Sequence, residues 1–245
     1  VHRVMEALSR KPFAIVSHRG AAGLAPENTL AALEAAVRAG ADVAEFDVQR
    51  TADGVLVASH DPVLTAEGGV RVDIRSSRYE DLSSVRVCGE RVPRIEEIVE
   101  AARGRIALFL EVKVAGDAAP LVELLRRLDA LDYVAVISFE EEAIRVAKRL
   151  EPGLAAGIIY FRPPGKIVEC KRLLRCEIVL PRYPLATEKA VALAHRLGLK
   201  VVAWTVDDPG WAVKLARRGV DAIATNRPDK LAELRRRLAA GEEGL

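Results

Sequence analysis

Five residues of this 245-residue chain have types and spacing that allow joint chemistry: His18, Glu45, Asp47, His60 and Glu111. Glu45 and Asp47 lie two apart in the apolar run V-A-E-F-D-V (43 to 48), so strand alternation turns both carboxylates to one face. Two like charges held close together repel and raise one pKa, whereas a divalent cation keeps both ionised. Glu111 and Lys113 repeat the two-residue spacing at the end of I-A-L-F-L-E-V-K. A structural ion pair with Lys113 accounts for one inward carboxylate but not for three. Oxygen ligands from Glu45, Asp47 and Glu111 favour one hard divalent cation, Mg²⁺ or Ca²⁺, with Mn²⁺ also compatible. If His18 and His60 joined the ligand set, Zn²⁺ or Fe would come into play. Left free, they suit acid/base work near neutral pH. His2 and His195 sit near a chain end and within a helical pattern, and neither is assigned a role.

The loop H-R-G-A-A-G-L-A-P-E-N-T from His18 is glycine-rich and leads into a helical pattern, so its backbone N–H groups are suited to cradling a phosphate. Such loops are common between strands and helices, and this one carries weight only in company.

Positioning these residues requires a set of strand ends. Short apolar runs alternate with amphipathic segments, the sign of βα units. The runs fall at 13 to 17, 43 to 48, 55 to 59, 106 to 112, 134 to 138, 154 to 160, 178 to 181, 200 to 206 and 221 to 225. Helical patterns lie between them, including one ending at Gly40 and others starting at Leu121, Glu141 and Lys189. Nine runs are one too many for an eight-stranded barrel. Between Val48-Gln49 and Val55, however, lies only R-T-A-D-G, too short for a parallel crossover. Asp53-Gly54 reads instead as a hairpin turn. With Thr51 to Gly54 as the loop, Arg50 faces Val55 and Glu45 faces His60; a slip of one residue leaves the last two neighbours. The fold class is therefore α/β: a single TIM-type (β/α)8 barrel spanning 1–245, with an extra antiparallel hairpin strand. Residues 64–92 carry Gly68-Gly69, many charges and few core positions, and are expected as a short insertion over the barrel mouth.

Length and composition agree with this. A β/α barrel commonly takes roughly 250 residues. Half of the residues are hydrophobic and 29% are charged, which fits a globule with a large core. A net charge of +2 without long basic runs points away from nucleic acid as a partner. No stretch approaches the roughly 18 apolar residues of a membrane span. Cys88, Cys170 and Cys176 are too few and too scattered for a disulfide framework, and the first residues lack a signal-peptide pattern, so a reducing, cytoplasmic setting is the simpler expectation. One Gln (Gln49) and two Asn (Asn28, Asn226) against 37 Lys and Arg resemble thermophile usage. Nothing in the sequence specifies an oligomeric state.

The stretches S-H-R-G-A-A-G-L-A-P-E-N-T-L-A-A, A-E-F-D-V-Q-R-T-A-D-G-V-L-V-A-S-H-D and L-F-L-E-V-K resemble the glycerophosphodiester phosphodiesterase family. The likeness continues through V-I-S-F (136 to 139), A-W-T-V (203 to 206) and G-V-D-A-I-A-T-N-R-P-D. It implies metal-dependent hydrolysis of small glycerophosphodiesters to glycerol phosphate and an alcohol. It also implies His18 and His60 as acid and base, and Glu45, Asp47 and Glu111 as cation ligands. Arg19 and Lys113 match phosphate contacts, Trp204 an aromatic on the glycerol side, and Glu27 and Asn28 supporting positions. One departure stands out: the family commonly has aspartate in T-D-x-P, and this chain has Asn226 in T-N-R-P. Two other readings differ in what they require. A lysophospholipase D or sphingomyelinase D type activity needs an apolar surface at the mouth, to which Ile158 to Phe161 are candidates to contribute. A phosphate- or metal-binding barrel without turnover fits poorly with both histidines being present.

Overall fold

The computed structural model describes residues 3–242. Nine strands form its main sheet: β1 (Ala14–Ser17), β2 (Val43–Arg50), β3 (Leu56–Ala58), β4 (Ala107–Val112), β5 (Val134–Ser138), β6 (Ala155–Tyr160), β7 (Ile178–Pro181), β8 (Lys200–Ala203) and β9 (Ala222–Thr225). Their spatial order is β1-β9-β8-β7-β6-β5-β4-β2-β3, and β1 also pairs with β2, which closes eight parallel strands into a barrel. Strand β3 pairs antiparallel with β2 and stays outside the ring. The eighth run ends at Ala203, three residues earlier than its apolar pattern, and Trp204 continues the pairing only as a single parallel bridge to Arg182.

Alternation sorts each strand. In β2, Ala44, Phe46 and Val48 face the surrounding helices with Leu108, Leu110 and Val112 of β4. Val43, Ala107, Phe109 and Ile137 face inward, in a cluster rich in alanine. Val4 and Leu8 at the chain start, both fully buried, join that inner cluster and stopper the barrel at its N-terminal end. Burying a side chain of this size contributes about 1.5–3 kcal/mol. The helix Leu30–Arg38 is capped at both ends: Thr29 Oγ1 accepts from Ala32 N, and Gly40 takes φ +81° beyond the last turn.

The hairpin register is slipped by one residue from the expected pairing. Arg50 pairs with Leu56 and Val48 with Ala58, so Glu45 is displaced by one position from facing His60. The cause is the turn: Gly54 N donates to Thr51 O while Gly54 sits at φ +86°, and Thr51 N reaches Val55 O, which adds a residue to the loop. Residues 64–92 also hold more core than expected. Leu64, Ile74, Leu82 and Val92 pack with Val57 beneath two short hairpins, Val63–Thr65 with Arg71–Asp73 and Arg86–Val87 with Glu90–Arg91. Arg75 anchors this insertion to the barrel through Gln49 Oε1 (2.8 Å) and the fully buried Asp117 (2.7 Å).

Two of the three cysteines are joined, against the expectation of a reducing setting. Cys170 and Cys176 form a disulfide, with Cα atoms 5.2 Å apart, while Cys88 is free and exposed. The chain reverses at Arg175 (φ +56°), and Cys176 N donates to Cys170 O at 2.9 Å, which brings the two side chains together. Among the described residues no helix is long and apolar enough to cross a membrane.

Candidate active site

Strands β2 and β4 are neighbours with Asp47 opposite Glu111 and Glu45 opposite Phe109. Inward alternation therefore stacks Glu45, Asp47 and Glu111 at the C-terminal ends of two adjacent strands, where barrel enzymes hold their chemistry. One oxygen from each lies within 4.8 Å of the others, and all three residues are buried. Glu45 Oε1 is buried without a hydrogen-bond partner among the described residues. An orphaned carboxylate oxygen in an all-oxygen cup suits a hard divalent cation. Lys113 reaches the cup from above, 2.9 Å from Asp47 Oδ1 and 3.0 Å from Glu111 Oε1.

The loop after β1 builds the opposite wall. Arg19 N donates to Glu45 Oε2 at 2.9 Å from a left-handed backbone (φ +51°), a conformation that costs a non-glycine residue about 1–3 kcal/mol. Its guanidinium pairs with Glu27 at 2.9 Å and stands 3.6 Å from Asp47 Oδ2. Asn28, also left-handed (φ +57°), grips Asp47 twice: Nδ2 donates to Oδ2 and Oδ1 accepts from the Asp47 N–H, both at 3.0 Å. Gly20 has no room for a side chain, since a Cβ there would meet the Ala32 Cβ at 2.5 Å. His18 Nδ1 lies 2.8 Å from Asn226 Oδ1. His60 sits just beyond β3, with Nδ1 3.2 Å from Asp61 Oδ1, and its carbonyl accepts from Gln49 Nε2.

Burial, reinforced by Asp47 and Glu111, pushes the Glu45 carboxyl well up. Burial and the Asp47 charge likewise raise Glu111 to about 8. Asp47 goes the other way: burial opposes its charge, but Lys113 and hydrogen bonds from Glu111 and Asn28 bring it down to about 2. The cup thus holds one firm anion and two carboxyls that keep protons until a stronger positive charge arrives. Burial and Arg19 lower His18, against the opposing influence of Asn226, Asp47 and Glu27, so its neutral form is favoured.

Eight of the expected residues line one cavity of about 290 Å³: His18, Arg19, Glu45, Asp47, His60, Glu111, Lys113 and Trp204. Glu27 and Asn28 stand behind Arg19 and Asp47. The insertion lines the adjoining cavity, which shares His60 with the central one. A larger depression of about 1200 Å³ lies among Lys214, Arg217 and Arg218 on the outer helices and contains none of these groups.

A profile of the glycerophosphoryl diester phosphodiesterase family matches residues 18–230, which take in all eight of these cavity-lining residues. The chain belongs to that family. A glycerophosphodiester phosphodiesterase of Caldanaerobacter subterraneus is 28% identical over 239 residues, covering 91% of this chain and 98% of its own. A phosphodiesterase of Oleispira antarctica, solved with the product sn-glycerol-3-phosphate, is 28% identical with TM-score 0.82 over 90% of this chain and 96% of that one. A structure from Silicibacter pomeroyi, 24% identical, shares the fold over 98% of this chain and 99% of its own, with TM-score 0.90.

Two residues near the site of this family member, Phe139 and Asp207, were given no role in the sequence, whereas Phe161 was a candidate for the mouth. Phe139 and Phe161 project at the mouth, 41% and 48% exposed, with Phe139 edge-on to Phe161 and to Trp204 at 5.8 Å. Asp207 binds the side chain and backbone of Asn226. The pair D-D-P at 207 to 209 held the signal, since Asp208 caps the next helix and leaves Asp207 free to turn inward. His195, given no role, bonds the buried Asp221 at 2.8 Å, away from this cavity.

Proposed function

We propose that this chain hydrolyses glycerophosphodiesters to glycerol phosphate and an alcohol, with a divalent cation, Mg²⁺ or Ca²⁺, held by Glu45, Asp47 and Glu111. The observation that carries the reading is the convergence of a buried three-carboxylate cup, two histidines and two cationic side chains on one cavity. When bound, the cation supplies charge neutralisation for the phosphodiester. Arg19 and Lys113 face the same space and stabilise the charge that grows on the phosphoryl oxygens. One histidine takes the proton of the attacking hydroxyl, from water or from the neighbouring glycerol carbon. The other protonates the departing alkoxide. Each transfer is worth about 10²–10⁴ in rate. Attack by the glycerol hydroxyl gives a cyclic phosphate that water then opens. Trp204, fixed by its Nε1–H donating to the Leu180 carbonyl at 2.7 Å, offers a flat wall to the glycerol.

A second reading, lysophospholipase D type cleavage, is favoured by one observation: Phe139 and Phe161 form an exposed apolar rim above walls that include Ile137, Ile159 and Leu180. The deciding assay incubates the protein with glycerophosphocholine, glycerophosphoethanolamine or lysophosphatidylcholine, each with Mg²⁺, Ca²⁺ or EDTA. Cation-dependent turnover of the first two supports the main reading. Turnover of the lysolipid alone selects the second, and no turnover with any cation removes both.

A further inference from the structure

The whole sequence contains three side-chain amides, Asn28, Gln49 and Asn226, and each one holds part of the cavity. Asn28 grips Asp47, Gln49 holds the His60 carbonyl, and Asn226 meets His18. A chain that otherwise does without carboxamides has them where a hydrogen bond of defined polarity is needed.

The polarity at Asn226 follows from its neighbours. Asp207 accepts from Thr225 Oγ1 (2.8 Å), from the Asn226 N–H (2.8 Å) and from Asn226 Nδ2 (2.9 Å). A carboxylate in that setting only accepts, so the amide must turn its NH₂ to Asp207 and its oxygen to His18. That oxygen also only accepts, so the proton on the imidazole must be on Nδ1, 2.8 Å away. The close approach of the two loops is built in. Gly23 N donates to Asn226 O, and a Cβ on Gly23 would come within 2.6 Å of that oxygen.

We infer that Asn226, oriented by Asp207, is a positioning residue that locks His18 in the Nδ1–H tautomer and leaves the Nε2 lone pair for the cavity. In this state Nε2 is a proton acceptor. It takes the proton of the attacking O–H as the new P–O bond forms, and His60 is left to protonate the departing oxygen. An amide does this without adding charge, whereas a carboxylate at 226 would favour the imidazolium, whose Nε2 has no lone pair to offer. This division of roles rests on the phosphodiesterase reading; the tautomer itself does not.

The test is ¹⁵N NMR of the cation-loaded protein with labelled imidazoles, His18 being assigned by its absence in His18→Ala. Above the titration of the ring, wild type shows a protonated Nδ1 and an unprotonated Nε2. Asn226→Ala moves the population toward Nε2–H, and Asp207→Asn does the same with the Asn226 side chain still present. In both variants kcat falls about 10- to 100-fold, a part of what a general base contributes, while KM changes by less than about threefold. A wild-type Nε2–H tautomer, or a tautomer unmoved in both variants, overturns the inference. Unchanged kcat in both variants also overturns it. If wild type has the expected tautomer but turns over no diester, the phosphodiesterase reading fails while the positioning stands.

Discussion

Lys113 Nζ lies 2.9 Å from Asp47 Oδ1, so the firm anion of the carboxylate cup is already claimed by a side-chain cation. The same ammonium contacts Glu111 at 3.0 Å and is itself held charged despite its burial by these two partners. Lys113→Ala is expected to lower kcat/KM by about 10²–10³, the usual loss on removing a donor to a developing oxyanion. It is also expected to lower Tm more in EDTA than with cation, because without a bound cation the acids then keep only the more distant Arg19 as a compensating charge. Steady-state kinetics and paired melting curves check both; equal Tm losses in the two conditions would remove Lys113 from the cup.

Cation binding should release protons. Glu45 and Glu111 are both raised, the latter to about 8, and a divalent ion takes the place of what they hold. Affinity for Mg²⁺ or Ca²⁺ should therefore rise between about pH 6 and 8, with calorimetric heats that depend on the buffer's ionisation enthalpy. Glu45→Ala weakens binding; an unchanged affinity in that variant excludes it as a ligand.

Without cation, the same groups make stability depend on pH. A carboxyl raised on folding from 4.5 to about 8 binds more protons folded than unfolded. Its contribution is intact below 4.5 and is lost as pH rises through about 8. Tm in EDTA should accordingly fall over that window, and saturating cation should flatten the slope. A pH-independent Tm in EDTA contradicts the burial-driven shift.

His18→Ala and His60→Ala should each cut turnover by about 10²–10⁴ while keeping cation affinity. Because burial lowers His18 below its ordinary 6.5, its neutral form persists to lower pH. The acidic limb of kcat/KM is thus expected below the usual histidine range. A limb above it would show that another group governs the base.

Arg75→Ala removes one of two cations from the buried Asp117 and the clamp on Gln49, which in turn bonds the His60 carbonyl. The expected cost is up to about 3 kcal/mol, with Arg50 remaining as partner. Denaturant melts read the loss, and kcat should drop through His60 although Arg75 lines no part of the central cavity.

Much of this architecture was legible because period-two alternation survives wherever a strand is buried on both sides. Val43, Glu45 and Asp47 on one face and Ala44, Phe46 and Val48 on the other fix by spacing alone which groups enter the barrel. The hairpin was legible as a hairpin, but its register depended on one glycine at positive φ, which the dipeptide Asp53-Gly54 alone does not specify. Asp207 and the pairing of Phe139 with Phe161 were hidden for another reason. Their partners lie across the barrel mouth on different loops, and no local spacing records that proximity. The Cys170–Cys176 link needed the left-handed turn at Arg175 to be seen.

Val4 and Leu8 stopper the barrel from below. The barrel is therefore closed on that side, and substrate and products share the doorway at the rim above the central cavity. A reaction that makes two products from one substrate must clear them in turn through that doorway before it can be loaded again. Traffic of this kind appears in kinetics as glycerol phosphate competing with the incoming diester, so Val4 and Leu8, which line no part of the cavity that holds the histidines, shape how the catalyst empties.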